Sequence, residues 1–120
     1  MIEVQLVPLG VKTANGTGEA YEISNAQNRV FLISLSILRT LEQQALEIVL
    51  EWSADGAAWG RMAVMPQRFY EGSSEMALDL RKLSEVKWVR ARWELERWGR
   101  WGPQLSCDFG VRLSEIPAQS

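Results

Sequence analysis

Between residues 86 and 98 every second side chain is of one kind. Val89, Ala91, Trp93 and Leu95 fall on one face, and Trp88, Arg90, Arg92, Glu94 and Glu96 fall on the other. A period of two suits an extended strand with one face buried, and it does not place an apolar stripe along a helix. The same alternation returns at Leu46, Ile48, Leu50 and Trp52, with Glu47, Val49 and Glu51 turned outward. It returns again at Cys107, Phe109, Val111 and Leu113, and near the start at Ile2, Val4 and Leu6. Arg29 to Arg39 carries Phe31, Ile33, Leu35 and Ile37 on one face and Val30, Leu32 and Leu38 with two serines on the other. Being apolar on parts of both faces, it predicts a central strand.

Turn chemistry separates these runs. Thr13 to Gly18 is loop-like, and Glu19 to Ile23 is a short strand candidate. Asp55-Gly56 supplies a hairpin turn, Gly60 to Met65 its returning strand, and Pro66 the stop. Arg68–Glu71 and Glu75–Leu80 are shorter candidates; in a strand over the first, Phe69 and Tyr70 face opposite ways. Leu41-Glu42-Gln43-Gln44-Ala45 has helical propensity and predicts a loop or a single helical turn. The sum is about eight strands without a long helix, which favours an antiparallel sandwich or barrel over alternating helix–strand units. The expectation is one all-β domain over residues 1–120: a two-sheet antiparallel β-sandwich of jelly-roll or galactose-binding-like type, with residues 115–120 as a frayed tail.

Composition narrows the chemistry. The chain has 120 residues, 47% hydrophobic and 23% charged, which suits a single core. The net charge of −2 gives no global field toward nucleic acid or an anionic membrane. Charge is uneven all the same: residues 1–80 hold five basic against ten acidic groups, and residues 81–101 hold seven against three. With no histidine, a Ser-His-Asp triad, a Cys-His pair and a His-bearing zinc site are excluded. Cys107 is the one cysteine and lies on the apolar face of its strand, so it reads as a buried, inert thiol. No run is long and apolar enough to span a bilayer, and no secretory signal stands at Met1 to Val4. The default placement is therefore cytoplasmic.

Two stretches carry a resemblance. Glu47 to Trp59 resembles a strand followed by S-x-D-G-x-x-W, here Ser53-Ala54-Asp55-Gly56-Ala57-Ala58-Trp59. Val86-Lys87-Trp88-Val89-Arg90-Ala91-Arg92 resembles an aromatic-V-R strand late in a domain. Together they are similar to the discoidin, or coagulation-factor type C, family of galactose-binding-like β-sandwiches, over residues 46–114. The resemblance implies a non-enzymatic domain that binds carbohydrate or protein through its end loops. The cysteine pair that ties the ends of many members is missing.

Several constellations invite a function. Glu47, Glu51, Glu94 and Glu96 share strand faces, yet charged residues on a solvated sheet are the ordinary outcome. A ladder of Glu47 and Glu51 against Arg90 and Arg92 is expected instead. Asn15, Thr17 and Glu19 offer oxygens without an acidic ligand pattern, so no metal or cofactor is assigned. Trp88, Trp93, Trp98 and Trp101 alternate with arginines, as single-strand binding requires. Glu94 and Glu96 blunt that field, and Trp93 lies in phase with the core, so nucleic acid is not the favoured partner. Trp98, Arg100 and Trp101 flank a glycine in a turn, where side chains have less core to fill. They are the candidate contact residues for a ligand or partner. The expectation is a recognition module without catalytic residues. The alternative is a structural subunit of a larger, phage-like assembly whose strand edges or tryptophan-rich face join copies of the chain.

Overall fold

The structure, a computed structural model, describes residues 1–99 and 104–117. The described residues form nine strands and no helix. They are β1 (Glu3–Lys12), β2 (Gly16–Thr17), β3 (Tyr21–Glu22), β4 (Val30–Thr40), β5 (Gln44–Ser53), β6 (Gly60–Val64), β7 (Gly72–Asp79), β8 (Trp88–Arg97) and β9 (Cys107–Glu115). One sheet has the order β1-β9-β4-β7 and the other β2-β8-β5-β6, with β3 also paired to β8. All pairs are antiparallel.

Counting β2 and β3 as one interrupted strand, the pairing is nested. β1 meets β9, β2 and β3 meet β8, β4 meets β7, and β5 meets β6. That is a long hairpin rolled over so that successive pairs fall in alternate sheets, which is the jelly-roll form of the β-sandwich. The expected fold class holds. The extra strand arises because one strand is broken at residues 18–20.

Alternation does the sorting that the sequence promised. Phe31, Ile33, Leu35 and Ile37 from β4 meet Leu46, Ile48 and Leu50 from β5 in the core, with Val89, Ala91 and Leu95 from β8 and Phe109, Val111 and Leu113 from β9. Val49 points outward and is buried nonetheless, between its register partners Arg92 and Val64. Cys107 is fully buried, and burial pushes its thiol pKa up.

The Leu41–Ala45 tract is the expected loop, a tight turn over residues 41–43 with Gln43 at a φ of 53°, and β5 begins at Gln44. Three local expectations need correction. The Arg68–Glu71 strand shrinks to one bridge between Arg68 and Leu46, because the chain leaves the sheet after Arg68. Phe69 and Tyr70 are consequently both exposed rather than split between inside and outside. Glu115 is not part of a frayed tail. It ends β9 in a buried position, where its Oε1 accepts from the Ile2 N–H at 2.9 Å and its Oε2 from the Asn28 N–H at 2.6 Å.

Arg29 is the other locking residue. It adopts a left-handed φ of 58°, and its guanidinium donates to the carbonyls of Leu80, Leu83 and Val86. One side chain thereby closes the loop between β7 and β8.

Candidate functional site

The turns after β1, β4 and β8 and the segment before β7 gather at one end of the sandwich. Gln44, buried at the start of β5, organises that end. Its amide nitrogen donates to Thr40 Oγ1 at 2.8 Å and to the Ser106 carbonyl at 2.7 Å, and its oxygen accepts from the Ser106 N–H at 3.0 Å. Arg97 donates from Nε to the Glu42 carbonyl and from Nη1 to the Gln104 carbonyl. The Trp98 N–H donates to the Gln43 carbonyl at 3.0 Å, so the β8 exit is tied to the β4–β5 turn. Gly99 sits at a φ of 85°, and a Cβ there would fall 2.0 Å from Gln43 Oε1.

Across from Trp98, the paired backbones of Leu46 and Arg68 carry the next residue into place. Phe69 meets Trp98 edge to face, with ring centres 5.9 Å apart and planes at 77°. Edge-to-face contact leaves much of both rings free: Trp98 is 46% exposed, Phe69 43% and Tyr70 80%. The cleft they border has a volume of about 480 Å³ and is also lined by Leu41, Glu42 and Glu71. A second hollow, of about 280 Å³, lies along Gln67 to Ser74 and shares Phe69, Tyr70 and Glu71, so this segment forms a ridge between the two. Aromatic walls with two rim carboxylates can pack an apolar or sugar-like face and accept hydrogen bonds at its edge. Of the candidate contact residues, Trp98 is placed in this cleft. Arg100 and Trp101 lie outside the described residues.

The remaining constellations are taken up by the fold. In the S-x-D-G turn, Ser53 Oγ accepts from the Asp55 and Gly56 N–H groups. Asp55 Oδ1 accepts from the Ala57 and Ala58 N–H groups. Those two amides, with the Ser53 hydroxyl, lower the Asp55 pKa to about 2. The Arg90 guanidinium lies over the Trp59 ring at 4.1 Å and donates to Glu51 at 2.8 Å. Arg92 reaches the other Glu51 oxygen at 3.6 Å and also pairs with Glu94. The expected ladder therefore forms at Glu51 alone, because the register sets Glu47 opposite Glu94. Trp93 is half-buried, donates from Nε1 to the Ala14 carbonyl and meets Phe109 edge to face. Asn15 Oδ1 accepts from the Leu95 N–H at 2.7 Å, so this oxygen is already engaged. Among the described residues no three His, Cys, Asp or Glu side chains gather as metal ligands.

Sequence reasoning missed one apolar surface. Leu9, Val11 and Leu38 stand exposed on the outer face of the first sheet. Val11 and Leu38 line one hollow. Leu9 lines the next, whose floor is Ser34, Ser36 and Gly110. The signal was present in Leu38, an apolar residue on the serine-bearing side of its strand.

Comparison with known proteins returns a shape rather than a family. No family model matches, and no curated protein matches. Among solved structures, the chain is similar to one of the infectious bursal disease virus Gx strain, with a TM-score of 0.66 and 10% identity. It is also similar to the VP2 subviral particle of infectious bursal disease virus, with a TM-score of 0.58 and 10% identity. Each match covers 93% of this chain, which spans 30% of the first viral chain and 31% of the second. At that identity the likeness establishes the sandwich fold and nothing finer. The discoidin-type ligand chemistry implied by the sequence gains no support from these neighbours.

Proposed function

We propose that the chain is a non-enzymatic structural subunit, a wall element that joins further copies of itself in a larger particle. The observation that carries this is the outer face of the first sheet. Leu9, Val11 and Leu38 are all exposed there. Val11 and Leu38 share one hollow with Arg39 and Asp108, and Leu9 lines the next over Ser34, Ser36 and Gly110, so apolar side chains and small residues lie side by side within a charged rim. The viral structures of matching fold are of a virus and a subviral particle, which agrees in kind. Light scattering across a concentration series tests the reading. It expects a multimer of defined mass, and a strictly monomeric chain at every concentration would overturn it.

A second reading rests on the aromatic cleft. Phe69, Tyr70 and Trp98 around 480 Å³ would suit a carbohydrate or protein ligand at the loop end. Under this reading, Trp98→Ala with Tyr70→Ala abolishes binding on a glycan or peptide array and leaves the melting temperature within about 2 °C of wild type, as surface changes ordinarily do. An array without hits for the wild-type chain removes it.

A further inference from the structure

The two sheets leave four edges: β1 and β7 in the first, β6 and the broken β2–β3 line in the second. Unpaired edges invite other strands, and most folds blunt them. Three of these are blunted. β1 contains Pro8 and two register shifts. β2 and β3 are two residues each. β6 is five residues long, carries exposed Arg61 and a register shift, and stops before Pro66. β7 carries exposed Glu75 and Asp79 but has neither a proline, a bulge nor a short length to close it. Its eight residues pair with β4 in unbroken register from Ile37 opposite Gly72 to Val30 opposite Asp79, with no proline, lysine or arginine.

The direction of its free backbone groups follows from one bond. The Leu80 N–H donates to the Arg29 carbonyl at 2.8 Å. Antiparallel alternation then turns the even-numbered residues of β7 toward β4, and turns the N–H and C=O of Ser73, Glu75, Ala77 and Asp79 toward the open edge.

We propose that this edge is a self-association site: two copies pair their β7 strands antiparallel about a two-fold axis at Met76, fusing their four-stranded sheets into one. The inference rests on the assembly function proposed above and adds an edge contact to the outer face named there. A second copy fits better than an unrelated strand because β7 complements itself. Centred on Met76, Ser73 faces Asp79 of the other copy and Glu75 faces Ala77, so every outward N–H and C=O finds a partner. Centring on Glu75 would oppose two carboxylates, and centring on Ala77 would set Glu75 against Asp79, both unfavourable. Side chains keep their faces under this symmetry. Half-buried Met76, which packs against the core, would meet its own counterpart on the inner side, while exposed Ala77 would be covered on the outer side.

Sedimentation of the full chain, wild type and variants, tests the proposal. Ala77→Pro removes an outward N–H and leaves the β4 ladder intact, and Ala77→Glu opposes Glu75 of the other copy. Each is expected to raise the dissociation constant about tenfold or more, and Ala77→Lys to lower it a few-fold. Met76→Cys should form an intermolecular disulfide under mild oxidation, since facing residues of a non-hydrogen-bonded pair have Cα atoms about 4.5 Å apart. Ser74→Cys alone should not, because it faces Leu78. If Ala77→Pro fails to fold, Ala77→Glu and Met76→Cys decide. A multimer with unchanged affinity in the Ala77 variants and no Met76→Cys cross-link would overturn the edge and leave assembly through another face standing. A monomer at all concentrations would overturn both.

Discussion

At the residue scale, the fold depends on polar groups that look like surface residues in the sequence. Burial alone would raise the Glu115 pKa, but the N–H groups of Ile2 and Asn28 outweigh it and hold the carboxyl below the ordinary glutamate value. A carboxylate depressed in the folded state stabilises the protein above its unfolded pKa and loses that contribution as pH falls through the folded one. Urea midpoints should therefore drop as pH falls below the usual glutamate range. Glu115→Gln should cost about 1–3 kcal/mol at neutral pH, because it weakens two buried charge-assisted bonds. The gap between variant and wild type should narrow in acid, and a gap independent of pH would refute the account. Neither Glu115 nor Arg29 could be singled out by pattern. Their partners are main-chain atoms 113, 87 and 51 or more residues away, and no period in the sequence encodes such a contact.

Alternation was legible at the scale of the element wherever it ran long enough. β4, β5, β8 and β9 occupy the segments that the pattern marks, and Val89, Ala91 and Leu95 are buried as their phase requires. The two-residue strands β2 and β3 were legible only in part: the broader strand candidate over Glu19 to Ile23 contains β3, but β2 falls in a tract read as loop. Two residues cannot show a period, and only their pairing with β8 makes them strands. Register was the other hidden quantity. It brings Glu51 to Arg90 and Arg92 but leaves Glu47 facing Glu94, a distinction set by turn geometry rather than composition. The Glu51–Arg92 pair is partly shielded, and a double-mutant cycle should show a coupling of about 0.2–1 kcal/mol. Strict additivity would mean that the contact contributes nothing. The aromatic cleft was half visible: Trp98 was a candidate from its turn, whereas Phe69 and Tyr70 sat within an expected strand of which only the Arg68–Leu46 bridge forms.

Across the whole molecule, nested pairing makes most stabilising contacts distant in sequence. Among the paired strands only β5 and β6 are consecutive in the chain; β1–β9, β2–β8, β3–β8, β4–β7, β4–β9 and β5–β8 all close over intervening strands. Closing the outer pairs costs chain entropy before they gain contacts, so folding should be slow for this size. Stopped-flow refolding is expected to fall in the millisecond-to-second range, and a microsecond phase carrying the full amplitude would contradict the topology.

The seam between β1 and β9 has a consequence for how such a unit can be handled. Glu3 pairs with Ser114, so the polypeptide enters and leaves at the same corner, about 5 Å apart. A host protein could carry the unit within one of its own loops without its two flanks being pushed apart. By the same geometry, a short bridge joining the two flanks of this seam would let new ends be cut at the exposed 54–58 turn.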